Sequence, residues 1–542
     1  VAADRYITYD DFSGGYAGAL PSYRLRENQW HGLNVVPAID GALVPRSGLV
    51  RYLLTGIGNG QIVGMGWADG GAGPDKAWFV QGTTLYNFDP YDPTGVHAVV
   101  AATGSFATAP TRVLHAWDEA GFVWIVSYGD KVYKYDLTAN TLSAVANTSG
   151  LEAGRCITSW GSFLITGGSP TDPPTLYWSD GDDLGAWPPV PAKPTAGPNY
   201  VQIGSLNSAI TGIYVLRGQL IVAKDDGSWW VITGDLTTSL VPDAAFNVRN
   251  VFNAQTPLQE PQHGAVIGGQ AVWMVDRSAP WPSWMNGSTI SDLNYLQTDL
   301  VPVPNGGTQP SLNVTRMTGP SDLLIAAGSV GRERLMFKDS IWSRHVFATI
   351  TNPGLLADAK GTPPYPGDQF STPLEWTAPM IDNLMLMSDG GDSTHPPKFY
   401  VWDVGGNDPP DDSAPLQSVT DDGYEYPNYW QGPEWVNEQG VEVLARAVTI
   451  DFRRADQGAG APSQGFAVQV ASTRRTRDET GTRWSQVQRW GGPARTVDQD
   501  RVTLMLGDQG NGAGVLPRLF DIRGVGIQRV TLRLVQESER AV

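Results

Sequence analysis

The chain has 542 residues, 41% of them apolar and only 17% charged, with 63 Gly, 40 Pro and 20 Trp. Abundant turn formers and large flat side chains with sparse charge disfavour an all-helical protein. A net charge of −18 argues against a general nucleic-acid or anionic-membrane binder, because both need basic surface to displace counterions. Residues 1–10, VAADRYITYD, have neither a basic nor an apolar signal region, and no later stretch supplies the apolar run of about 20 residues that a membrane helix needs, so a soluble chain is expected. Cys156 is the single cysteine, which excludes an intrachain disulfide and suits a small buried side chain.

From residue 61 onward, apolar residues come in short runs rich in Val, Ile, Trp, Tyr and Phe, each closed by Gly, Pro, Asp or Asn. These are strands and turns. The runs are KAWFV from Lys76, FVWIV from Phe122, SFLIT from Ser162, QLIVA from Gln219, AVWMV from Ala271, DLLIAA from Asp322 and NLMLM from Asn383. Their centres are 46, 40, 57, 52, 52 and 61 residues apart. Most are followed by a second strand, such as TLYNFD from Thr84 or KFYVWD from Lys398, although none is evident after AVWMV. The early runs are preceded by a strand ending at Trp67, Trp117 or Trp160. A doublet repeated about seven times at this period predicts an all-β chain with a β-propeller of about seven irregular blades over 61–403, and an N-terminal segment, 1–60, that closes or decorates it.

Residues 404–423 form an acidic Pro/Asp-rich linker. Alternating strands then predict a C-terminal antiparallel β-sandwich over 424–542. Charge changes near the same place: residues 441–542 hold 15 Arg, no Lys and 11 acidic residues, a balance of +4, which leaves −22 for the rest.

A search for chemistry finds none that the sequence can assign. His31, His97, His115, His263, His345 and His395 are dispersed, with no metal-ligand spacing. Phosphate-binding loops and a nucleophile elbow are also missing. Asp180, Asp182 and Asp183 have the alternate spacing of a calcium loop but lack its glutamate, and a tight turn explains them equally well. Asp89, Asp92, Asp408, Asp411 and Asp412 flank prolines in predicted loops. The adjacent Trp229 and Trp230 must face opposite sides of a strand, while Trp281 and Trp284, in PWPSW, are placed in a loop. No catalytic, cofactor-binding or metal-binding residue is assigned, no cofactor is expected, and an enzyme is not expected.

The N-terminal segment carries a pattern: Asp11-Phe12-Ser13-Gly14-Gly15, then Glu27-Asn28-Gln29-Trp30, Leu33-Asn34-Val35, and Asp40-Gly41-Ala42-Leu43-Val44-Pro45-Arg46-Ser47-Gly48. It resembles the opening of β-propeller virion proteins of tailed bacteriophages, of the tail nozzle, tail-tubular and packaged-DNA stabilisation kind or a related minor tail protein. Residues 163–187 and 210–235 look like blade segments of that family. The resemblance implies a structural virion protein of the tail (nozzle, hub or collar), assembled in the host cytoplasm as a homo-oligomeric ring, six-fold by preference. Its implied partners are other tail or portal-proximal proteins; DNA passes nearby without tight binding, and no membrane is involved. On this reading an acidic lumen repels phosphate, and the C-terminal arginines contact acidic neighbouring subunits. The alternative is a glycan-binding or glycoside-hydrolysing propeller with an appended sandwich at a host surface, which needs two carboxylates about 5–10 Å apart in the central pocket.

Overall fold

The computed structural model describes residues 4–292, 314–346, 376–404 and 428–536, with interruptions inside each span, among them 188–198, 237–245, 474–482 and 493–499. The predicted linker lies almost wholly outside the described residues, and so do Asp408, Asp411, Asp412, Asp180, Asp182 and Trp281. The architecture of the described residues is almost entirely β-sheet and multi-domain, with several four-stranded sheets and two larger ones. The one helical element among the described residues is a 3-10 turn, Pro261–His263.

Seven four-stranded sheets occur among the described residues. The first six are consecutive in sequence. Their leading strands are Ile62–Ala68, His115–Glu119, Cys156–Trp160, Ile210–Leu216, Gly264–Ile267 and Val314–Arg316. The doublets seen in the sequence are the second and third strands of these sheets. Alternation makes the strands: along Ile62–Ala68, buried and half-buried residues take turns. Tight hairpins join them, as at Arg217-Gly218, where φ values of 51° and 73° put both central residues in the left-handed region that a two-residue turn requires. The fifth sheet supplies the strand that could not be read after AVWMV. It is Pro282–Met285, paired with Ala271–Val275, so the predicted PWPSW loop is corrected to a strand from Pro282 on. Proline is tolerated there as the first strand residue.

The seventh sheet joins Trp376–Pro379, Leu384–Ser388 and Phe399–Asp403 to Leu49–Arg51, a strand from the N-terminal segment that pairs with the outermost one. Each leading strand touches the next, and Trp376–Pro379, which leads the seventh sheet, touches Ile62–Ala68 of the first. The cores lie between successive sheets. Phe79, Phe88, Leu386 and Phe399 fill the layer between the seventh and first; Trp78, Val123 and Tyr135 that between the first and second. Trp230 packs into the layer between the third and fourth, and Trp229 into that between the fourth and fifth, so the pair does face opposite sides.

Two larger sheets stack face to face. One has six strands, with Val35–Pro37, Leu43–Pro45, Val525–Gln536, Val443–Arg454 and Asp500–Met505 in order and Asp4–Tyr9 beside Val525–Gln536. The other has eight and includes Gly15–Tyr16, Gln29–Leu33, Tyr429–Gln431, Gly514–Arg523 and Gln464–Thr473. Both therefore combine residues 1–45 with residues 428–536. The first strand of the chain pairs with its last, from Asp4 opposite Val535 to Tyr9 opposite Val530. One apolar core, with Phe12, Trp30, Trp430, Phe452 and Ile527, joins the two sheets. Trp342, from the outer strand of the sixth four-stranded sheet, enters this core and seats the sandwich on the seven sheets.

Candidate functional site

The motif residues of the N-terminal segment converge on that seat. Phe12 is buried edge-on to Trp430, with ring centroids 5.5 Å apart, and its carbonyl accepts the Trp30 indole N–H at 3.0 Å. Gly15 has φ +72°, and a Cβ there would stand 2.9 Å from the Trp342 carbonyl oxygen, so only glycine fits. Asp40-Gly41 turns the hairpin between Val35–Pro37 and Leu43–Pro45. Arg46 follows, 2% exposed; its Nε donates to Asn34 Oδ1 at 3.0 Å and its Nη1 to the Ser47 carbonyl at 2.6 Å. The Ser47 hydroxyl donates to the Asp403 carbonyl, and Leu49–Arg51 then enters the seventh sheet. Beside Arg46, His345 bonds Ser343 Oγ at 2.8 Å and meets the Trp402 ring edge-on at 5.3 Å. Burial, and then the Arg46 cation, hold His345 well below its ordinary pKa. These residues hold the sandwich to the sheets; nothing in their geometry reacts.

The outer face of the six-stranded sheet is polar and regular. Register places Thr8, Thr531, Thr449 and Thr503 in one row across four strands. Thr449 and Thr503 hydroxyls are 2.9 Å apart, and Thr8 and Thr531 hydroxyls 3.4 Å. The next row alternates in charge: Arg529 Nε lies 3.5 Å from Asp10, and Arg501 donates to both Asp451 oxygens at 2.5 and 3.0 Å. Two clefts open beside these rows. One, of about 580 Å³, is lined by Asp451, Asp500, Arg501, Gln528 and Arg529; the other, of about 420 Å³, runs from Thr8 to Asp11 and across Arg26, Glu27 and Asn28. Tyr6 and Met505, 61% and 64% exposed, stand on the same face.

Several of the C-terminal arginines expected to contact neighbouring subunits also pair within the chain. Arg533 bonds Asp4 at 2.6 Å, Arg489 bonds Asp521 at 2.8 Å, Arg454 bonds Asp500, and Arg453 lies 3.2 Å from Asp40. Arg529, Thr531 and Arg533, at every second position, mark this face, but Asp10 and Asp4, which pair with the two arginines, lie more than 500 residues away in sequence.

On the seven leading strands the only acidic residues are Asp118 and Glu119, adjacent on one strand and so directed to opposite sides. Glu119 accepts the Trp124 indole N–H at 3.1 Å. Asp118 is exposed on its strand. The acidity of the chain sits in its turns, where carboxylates cap backbone N–H groups. Asp89 accepts from Tyr91, Asp92 from Gly95 and Asp183 from Gly185, at 2.9, 3.2 and 2.8 Å. Cys156 is fully buried on its strand, and burial raises its thiol pKa. His115 is held at about 4 by burial, and its Nδ1 accepts the Ile157 N–H at 3.0 Å. Among the described residues no group of three or more His, Cys, Asp or Glu is arranged to hold a metal ion.

No protein family matches the chain, and no curated protein does. Solved structures do. BamB from Moraxella catarrhalis is 14% identical over 68% of this chain and 93% of its own, with a TM-score of 0.34. YCF48 bound to D1 peptide is 10% identical over 68% and 99%, with a TM-score of 0.38. A computationally designed protein, Ika8, is 11% identical over 65% and 100%, with a TM-score of 0.33. The expected description as a bacteriophage virion tail component is corrected on this point: the matched structures are non-phage proteins.

Proposed function

We propose that this chain is a non-enzymatic structural protein, in which seven sheets close into a seven-bladed propeller and a β-sandwich mounts that propeller in a larger assembly. Copies of the chain join as a symmetric ring, six-fold by preference, and meet other proteins through the outer face of the six-stranded sheet. One observation carries the reading: two clefts flank a flat, charged, hydroxyl-lined sheet face whose threonines and arginine–aspartate pairs run in register across four strands. Such a face suits a polar protein contact with fixed register. An absence of tight DNA binding is supported by the −22 charge outside residues 441–542.

The test is sedimentation and negative-stain imaging of the full chain and of Thr449→Arg, which plants a long cation in the threonine row. Rings that dissolve in the variant are expected. A wild-type chain that stays monomeric at tens of micromolar, unchanged by the substitution, would overturn the reading. Duplex binding at low salt would overturn the DNA part alone.

A further inference from the structure

We propose that the end of the seven-sheet cycle from which the leading strands start carries a binding site for a small oxyanion, built on Arg112, Arg155 and Tyr128. Arg112 lies three residues before the leading strand of the second sheet, and Arg155 immediately before that of the third. Tyr128 follows Phe122–Val126, which runs back to the same end because His115 pairs with Val126. The guanidinium carbons of Arg112 and Arg155 stand 4.7 and 5.3 Å from the centroid of the one Tyr128 ring, so the two cations lie within about 10 Å of each other.

These cations are short of acceptors. Arg112 Nη1 and Arg155 Nε are both buried and without a hydrogen-bond partner among the described residues. The Glu260 carboxylate comes within 3.3 Å of Arg112 Nη1 but outside hydrogen-bond geometry. A buried guanidinium N–H with no acceptor costs stability, and here two such cations stand over one ring. Other carboxylates at this end are bonded elsewhere: Asp172 accepts the Thr175 hydroxyl at 2.9 Å and Asp225 the Ser208 hydroxyl at 2.8 Å. Asp130 accepts the Tyr133 hydroxyl at 2.7 Å, and His115 is neutral, with its Nδ1 already taken by the Ile157 N–H. Two guanidiniums thus face one carboxylate.

The chemistry that completes this arrangement is a carboxylate or phosphate, which a guanidinium fork binds through paired N–H···O bonds. Position adds a size limit. Glu260 precedes the fifth sheet and Arg112 the second, and in a cycle of seven these lie on opposite sides, so their contact reaches across the opening. A ligand there sits near the axis, between side chains of several sheets, and is small. Only this placement rests on the closed propeller proposed above; the unpaired N–H groups do not.

Calorimetric titration of the full chain with inorganic phosphate and, separately, with citrate tests the site, with sodium chloride at matched ionic strength as the reference. Saturable binding of one or both anions is expected. Phosphate alone would assign a tetrahedral ligand and citrate alone a carboxylate. Arg155→Gln should weaken binding by about tenfold, and Arg155→Lys, which keeps the charge and loses the fork, should also weaken it. Glu260→Gln, which removes the competing carboxylate, should tighten it severalfold. Absence of saturable binding in the wild type overturns the site, as does equal affinity in wild type, Arg155→Lys and Glu260→Gln. The ring assembly proposed above is read by imaging and is untouched by either result.

Discussion

In the seven-sheet region, neighbours in space are neighbours in sequence, and each sheet leans on the next through a dry layer of aromatic and branched side chains. In the sandwich, neighbours in space come from opposite ends of the chain, and their outer face is tied by arginine–aspartate pairs. The difference separates two kinds of stability. Buried apolar layers contribute in proportion to area removed from water and are not screened by salt. Exposed ion pairs contribute little each, so the Asp4–Arg533 and Asp10–Arg529 contacts select register more than they add strength. The sandwich must therefore draw its own strength from the shared core around Trp430 and Phe452.

The sharpest way to break this contrast is Phe79→Ala. Phe79 is fully buried, stacked on Tyr86 at 5.2 Å and packed against Phe399 at 4.7 Å, so its loss should cost about 3–5 kcal/mol in urea unfolding. A loss below about 1 kcal/mol would mean that the layer between the seventh and first sheets does not hold the ring. Arg46→Gln comes next. It strips the Asn34 oxygen of its buried donor and should cost about 1–3 kcal/mol. Limited proteolysis should then release sandwich and sheets as separate fragments; uniform digestion would argue that Arg46 does not serve the seat.

A smaller effect should appear with pH. The folded pKa of His115, about 4, lies below the ordinary 6.5, so the unfolded chain binds the proton more readily. Its contribution is complete above pH 6.5 and is lost as pH falls through 4, a change on the order of 1 kcal/mol for a half-buried group. His115→Asn should flatten that part of the urea-midpoint profile between pH 7 and 4.5, and an unchanged slope would contradict it. Smallest of all, Arg533→Gln should shift the urea midpoint only slightly, and the shift should vanish in 1 M salt. A larger, salt-resistant loss would show that the chain-end pairing is more than register.

The two regions also differed in how far sequence could reveal them. Strand runs at a period of 40 to 61 residues announced the repeated sheets, because hairpin neighbours carry their signal locally. The second strand of the doublet was hidden in the fifth sheet alone, since Pro282 and its flanking tryptophans read as a loop. The sandwich was half legible. Its C-terminal strands alternate clearly, but Asp4–Tyr9 and Leu43–Pro45 are short, and their partners, hundreds of residues away, leave no trace in local pattern. Phe12-Ser13-Gly14-Gly15 and Arg46 were visible as a motif, whereas their task at the seat of Trp342 depends on contacts that no spacing encodes. The stacked pair Arg112 and Arg155 was invisible for the same reason, as was the placement of acidic residues in turns rather than on the leading strands.

The pairing of Asp4–Tyr9 with Val525–Gln536 has a consequence in time. Residues 49–403 contain every strand of the seven sheets and can fold as the ribosome moves on, while the first strand waits unpaired until residue 536 has emerged. The threonine row needs Thr531 and the charged row needs Arg529, so a truncated chain can carry finished sheets and yet lack the surface by which it is proposed to be recruited. Synthesis through residue 536 is thus a condition for the proposed contact surface to exist at all.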